Sequence, residues 1–328
     1  LGNGIDPDEV INQYGADILR LWVASSDYHA DIRISKDILK QLSEAYRKIR
    51  NTARYILGNL YDFDPNKDKV ANSDLLPIDK WALIKLDELI KKSCEAYDNF
   101  NFHMVYHSVY NFCVVDMSNF YLDILKDRLY VEKADSKSRR AAQTTIYTIL
   151  DALTKIISPI LAYTSDEIWS YMPHDNSDNK ECVLFNDMPK LSKIELDKDF
   201  EDYWNKIRLI KETVQKALED ARSNKVIGSS LDAKVLLYAN DNLFEFVKSI
   251  KSELETIFIV SDVEVLKDGN GKIKSEELDN LSVTIEKAQG EKCERCWTYS
   301  DTVGKNNEHK TLCARCAQIL EGTEIPEK

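Results

Sequence analysis

The sequence predicts a mainly α protein: a helical bundle, then a small α+β domain, then a four-cysteine module. Three observations carry this prediction. No glycine occurs between Gly58 and Gly228, and apolar residues recur through that span at helical spacing. Beyond it, short runs rich in β-branched residues replace the helical pattern. Four of the seven cysteines then fall in two close pairs, Cys293/Cys296 and Cys313/Cys316.

The first helix is read from "DPDEVINQYGADILRLWVAS". Asp6 serves as N-cap, Pro7 takes the first helical position, and Val10, Ile11, Tyr14, Ile18, Leu21 and Trp22 share a face. A second helix is expected over Ser35–Leu60 and a third over Pro77–Tyr97. "NFHMVYHSVYNFCVVDMSNFYLDILKDRLY" reads as one long helix, with Phe102, Val105, Val109, Phe112, Phe120 and Ile124 on one face. "SKSRRAAQTTIYTILDALTKIIS" ends at Pro159, and a short helix covers "SDEIWSYM". Beyond the "HDNSDNKE" loop, one helix fits Phe200–Ser223. "LDAKVLLYA" and "IFIVSDVEVL" read as strands, and "LSVTIEKAQ" alternates as an edge strand would. The expected domains are residues 1–34 as a connector, 35–190 helical, 198–288 α+β and 289–320 the cysteine module.

The chain has 328 residues and a net charge of -12, enough length for two or three domains. No run of eighteen apolar residues exists, so no membrane helix is expected. The opening "LGNGIDPDEV" has neither an initiator Met nor a signal pattern, and reads as a cut inside a longer protein. An odd cysteine total with paired spacing fits a reducing compartment and a metal site better than disulfides. C-x2-C, sixteen residues, C-x2-C lets four thiolates close a tetrahedron around one zinc. Four thiolates leave no open position for water, so that zinc is structural. So small a module needs the metal to fold.

An acidic chain ordinarily repels nucleic acid, yet its cations are not evenly spread. On the second helix Lys36, Lys40, Arg47, Arg50 and Arg54 fall within an arc of about 80° at 100° per residue, opposite Leu42, Ile49 and Ile56. Asp37 and Glu44 lie outside that arc. Either a solvated helix back or a phosphate-facing stripe has this pattern. "LKDRLYVEK" and "SKSRRAAQ" add Lys126, Arg128, Lys133, Arg139 and Arg140 near one helix junction. In the cysteine module, Arg295 and Trp297 suit base stacking and phosphate contact; Trp297 equally suits a plug beneath the metal. No nucleophile elbow, Walker loop, dinucleotide fingerprint or acid/base pair appears, so no catalytic residue is expected in this chain.

These residues carry a family resemblance. "LGNGIDPDEVINQYGADILRLWVASSDYHADIRIS" resembles the segment following the KMSKS signature in class I aminoacyl-tRNA synthetases of the isoleucine/valine/leucine group. "YRKIRNTARYILGNL" and "FCVVDMSNFYLDILKDRLY" look like that group's helical anticodon-binding domain, and "GEKCERCWTYS…LCARC" resembles the C-terminal zinc module of its bacterial-type isoleucyl branch. The resemblance implies a tRNA-reading C-terminal portion of an enzyme that activates isoleucine with ATP and transfers it to its tRNA. Catalytic and editing domains, with ATP and magnesium, would belong to the part absent here. The resemblance also implies a cytoplasmic monomer whose partner is isoleucine-accepting tRNA, and carries Arg33, Lys126 and Arg128 over as RNA-facing positions. This portion alone is expected to be inactive. Two other classes compete: a zinc-dependent DNA-binding or repair protein, and a helical scaffold with a structural zinc.

Overall fold

The computed structural model describes residues 5–195 and 197–322. Compact packing divides the chain after Glu195 into two units, and Tyr130–Lys133 goes with the second.

The first unit is helical. The Asp6 carboxylate accepts from the Asp8 N–H at 2.9 Å and opens α1 (Pro7–Tyr14). The single helix expected here is broken at Gly15, whose φ of +92° lies where L side chains strain. The chain then re-enters α2 (Ala16–Ser25). Apolar spacing runs through the break undisturbed, which is why periodicity missed it. Ser35 caps α3 (Lys36–Gly58) through Ile38 N–H at 3.2 Å. Residue Pro77 starts α4 (Pro77–Asp98). The long helix expected next is interrupted: α5 (Phe102–Asn111) gives way to a π-helical segment (Phe112–Tyr121), then α6 (Leu122–Ile124) and α7 (Lys126–Val131). In the π turns Thr52 Oγ1 donates to the Cys113 carbonyl at 3.5 Å, so α3 supplies a polar partner to the loosened backbone.

Helix α8 (Lys137–Ile157) is the axis of this unit: fifteen of its 21 residues are buried, so it is packed on nearly every side. Its buried threonines satisfy their hydroxyls within the helix, Thr145 and Thr154 bonding back to the carbonyls of Ala141 and Leu150. Following it, α9 (Ala162–Tyr171) takes its N-terminal cap from α2: buried Asp17 accepts from Thr164 N–H at 2.8 Å and Thr164 Oγ1 at 2.5 Å. Arg20 of α2 donates to the carbonyls of Pro159 and Ile160 at the end of α8.

The second unit opens with α10 (Lys198–Ser223), capped by Asp197. A four-stranded sheet follows in the order β2-β1-β4-β3, with β1 (Ala233–Ala239), β2 (Asp262–Lys267), β3 (Ile273–Lys274) and β4 (Leu281–Lys287). Strands β1 and β2 are parallel, joined by a crossover through α11 (Asp241–Ser249) and α12 (Lys251–Phe258); β4 runs antiparallel to β1 and β3. Two expectations change here. β4 is an inner strand, not an edge, because β3 pairs with its outer side. The apolar run "IFIVS" is not strand: its first residues close α12, Ile259 turns left-handed at φ +59°, and pairing starts only at Asp262. A two-stranded ribbon, β5 (Glu291–Lys292) with β6 (Tyr299–Ser300), and α13 (Ala314–Glu321) complete the described residues.

Candidate metal centre and basic surface

The β5–β6 ribbon holds Cys293 and Cys296 in the turn between its strands, while Cys313 caps α13 and Cys316 lies in its first turn. Gly290 permits the ribbon: a Cβ there would sit 2.4 Å from the Ser300 carbonyl carbon, and its φ is +87°. All four cysteines are buried, and their sulfurs lie within 4.8 Å of one another. Tetrahedral Zn–S bonds of about 2.3 Å require sulfurs about 3.8 Å apart. The Cys296–Cys313 separation is 3.8 Å. Cys313 N–H points at Cys293 Sγ at 3.3 Å and Thr298 Oγ1 lies 3.0 Å from Cys296 Sγ, donors that suit thiolates. Hydrogen bonds from Cys313 and Cys316 hold the Cys296 thiol far below its ordinary range, while the bond with Cys296 drives Cys316 upward. Four buried thiols this close together present the donor set a structural zinc takes.

The module's small core is not made of its own residues alone. Val131 packs with the four cysteines and Ile319, and the Val131 carbonyl accepts from Arg295 Nη2 at 2.8 Å. Arg295 is therefore half-buried and partly committed to the backbone. Trp297 is different: it is 61% exposed and stands outside that core, so the plug reading is excluded. Its backbone is left-handed, at φ +66°, a conformation that strains a bulky residue. Lys292 Nζ lies 5.6 Å from the Trp297 ring, a neighbour that sequence reasoning passed over although it sits one residue before Cys293.

On α3 the side chains of Lys36, Lys40, Arg47, Arg50 and Arg54 are all exposed, as are Arg33 and Lys126. The stripe is less free of acids than the helical wheel implies. Glu44 reaches Arg47, and Glu167 of α9 comes within 3.5 Å of Arg50. Lys126 pairs with Asp123 at 2.6 Å. Arg128 is a correction. It is 6% exposed, and its guanidinium grips Asp79 and Ser138 inside the helical unit. It stabilises a buried carboxylate and offers nothing to a phosphate. Arg139 and Arg140 turn inward likewise, onto Asp62.

Comparison with known proteins adds the family context. Residues 79–237 match the anticodon-binding domain of tRNA ligases, residues 290–319 the zinc finger found in FPG and IleRS, and residues 1–35 the class I tRNA synthetases of the I, L, M and V group. The chain is thus a class I tRNA ligase sequence with an anticodon-binding region and a zinc finger. Within that class its curated homologues are isoleucine–tRNA ligases, at about 50% identity along 98% of this chain. It is 54% identical to the isoleucine–tRNA ligase of Caldanaerobacter subterraneus subsp. tengcongensis over 98% of this chain and 35% of that protein. The enzyme of Thermoanaerobacter sp. strain X514 is 51% identical, again over 98% of this chain and 35% of the relative. The chain therefore spans about a third of the length of these relatives. Among solved structures, the agnB2 LeuRS-tRNA-LeuAMS ternary complex of Agrobacterium radiobacter K84 is similar at a TM-score of 0.43, with 16% identity over 74% of this chain and 23% of that one. No described helix is long and apolar enough to cross a membrane.

Proposed function

We propose that this chain positions tRNA for an isoleucine–tRNA ligase, whose remaining domains activate isoleucine with ATP and magnesium and attach it to the tRNA. The observation that carries this reading is identity at the 50% level with isoleucine–tRNA ligases along 98% of the chain, anticodon-binding region included. Arg33, Lys36, Lys40, Arg47, Arg50, Arg54 and Lys126 are exposed cations that suit phosphates of the tRNA. Trp297 and Arg295 form a second contact to the anticodon stem-loop. Cys293, Cys296, Cys313 and Cys316 hold one zinc, whose chemistry is to fold the module; the metal takes no part in bond making. The chain itself makes no aminoacyl-adenylate and removes no mischarged amino acid. It works in the cytoplasm as part of one monomeric polypeptide with the catalytic and editing domains. The test is binding of this chain to isoleucine tRNA against a non-cognate tRNA at two salt concentrations. Preference for the isoleucine tRNA supports the proposal; equal binding or none overturns it.

A further inference from the structure

Arg222, Lys225, Lys287 and Tyr299 line a cleft of about 510 Å3 in the second unit, with Asp232 at its side. These residues are scattered in sequence and the fold gathers them: Arg222 from the last turn of α10, Lys225 just past its C-cap, Lys287 from the end of β4, Tyr299 from β6. Asp232 is the one acid of the lining, and its Oδ2 is occupied locally by the N–H groups of Gly228 at 3.0 Å and Ser229 at 2.8 Å. Tyr299 also belongs to the ribbon that carries the cysteine knuckle. Lys292 is the cross-strand partner of Tyr299, and its ammonium lies over the Trp297 ring at 5.6 Å. Arg222, Lys225 and Lys287 thus share the cleft with Tyr299, and Lys292 with Trp297 adjoins it through the β5–β6 pairing, in a chain whose net charge is -12. Of these cations Arg222 also meets Glu219 at 2.8 Å. Arg222 and Lys225 also complement the dipole at the helix end, but Lys287 and Lys292 stand on strands and have no dipole to serve.

We propose that this cleft holds the phosphodiester backbone of the RNA strand whose unpaired base stacks on Trp297. Lys225 and Lys287 contact successive phosphates, and Tyr299 carries the sugar or base between them. The inference rests on the tRNA-binding function proposed above and assigns a site to it. The cleft has the size of a small-ligand pocket and its charge matches a polyanion. Cations set beside aromatic rings are the combination that tracks single-stranded nucleic acid.

The test uses the full chain with zinc bound and unmodified isoleucine tRNA. The double variant Lys225→Gln/Lys287→Gln is compared with wild type across a salt series. Removing two phosphate-binding cations from single-stranded RNA lowers the log–log salt slope by about 1.4 and weakens binding on the order of fivefold per cation at about 0.1 M salt. Lys225→Arg/Lys287→Arg should restore both. In a second measurement on the wild type, bound tRNA should protect Lys287 from acetylation while leaving Lys305, in the loop beyond the ribbon, reactive. If wild type binds tRNA but the Gln variant keeps its affinity and slope, or Lys287 stays reactive in the complex, the cleft assignment is overturned and the tRNA reading survives. If wild type binds no tRNA at low salt, the tRNA reading itself falls, and the cleft with it.

Discussion

Arg128 and Asp79 meet in a two-pronged ion pair inside the helical unit, Nη1 to Oδ1 and Nη2 to Oδ2, both at 2.8 Å. Asp79 is fully buried, also accepts from Tyr121 Oη at 2.7 Å, and takes the Leu76 N–H at the start of α4 at 3.2 Å. Burial, and next the Asp79 charge, push the Tyr121 hydroxyl well above its usual range, so Tyr121 stays a donor. Removing Arg128 leaves a buried carboxylate without its cation. Arg128→Met should lower stability by about 3–5 kcal/mol, whereas Asp79→Leu/Arg128→Met should recover much of the loss. Urea unfolding measures both. Arg128→Met should leave the salt dependence of RNA binding unchanged in protein that remains folded.

The pair also marks the limit of what local sequence could reveal. Arg128 reads as one more cation in "LKDRLYVEK", because nothing nearby says that Asp79, far upstream, packs against it. The helices α3, α4, α8 and α10 were legible because their apolar spacing is unbroken, though the Asp197 cap starts α10 at Lys198, two residues before the expected Phe200. The break at Gly15 and the π-helical turns were not, since both leave the apolar pattern running. β4 alternates like an edge strand, and only the pairing of Ile273 and Lys274 with Val283 and Ser282 makes it internal. The cysteine constellation was legible because metal geometry, unlike packing, is written in short spacings. The cleft beside Tyr299 was not, because its cations come from separate elements.

The α3 stripe yields a graded prediction. Lys40 and Arg54 are exposed without an ion pair among the described residues, while Glu44 partly neutralises Arg47. Lys40→Gln/Arg54→Gln should therefore weaken all tRNAs alike and reduce the salt slope by about 0.7–0.9 for each phosphate no longer neutralised. Arg47→Gln should do less. Filter binding over a salt series separates these cases, and unchanged slopes would return α3 to a merely solvated face.

Removal of zinc by a strong chelator should unfold residues 290–319 and release the interactions that Val131 and Arg295 make there. The α-helical signal of the first unit should persist, since its core is built on α8 and holds none of these cysteines. Hydrogen exchange resolved by segment checks this. One zinc per chain by elemental analysis is the expected starting state.

Acid stability should depend on Lys69. Its ammonium lies 2.8 Å from Asp175, and that hydrogen bond, with the Ser177 N–H, lowers the Asp175 carboxyl from 3.8 to about 2. A folded-state value below the unfolded one means the stabilisation is complete above the unfolded pKa and disappears as pH falls through the folded one. Lys69→Met should raise the Asp175 value toward 3.8. The stability gap between variant and wild type should then close as pH drops from about 4 toward 2. NMR titration of the carboxyl and urea unfolding at several pH values measure the two effects.

Trp297 gives the sharpest separation between folding and binding. Its ring is exposed, its backbone is strained at φ +66°, and the core formed by the cysteines, Val131 and Ile319 excludes it. A residue that buries little and strains the turn is poorly explained by stability. A rigid tryptophan held beside Lys292 is well explained by stacking on an unpaired base, worth about 1–3 kcal/mol. Trp297→Ala should keep one zinc and the native unfolding transition, and bind isoleucine tRNA roughly ten- to a hundredfold more weakly. Trp297→Gly should fold no worse, because glycine accepts the left-handed backbone without a Cβ penalty, and should bind as weakly as the alanine variant. Loss of zinc in either variant would mean that the ring supports the metal site after all; normal tRNA affinity in both would remove Trp297 from the interface.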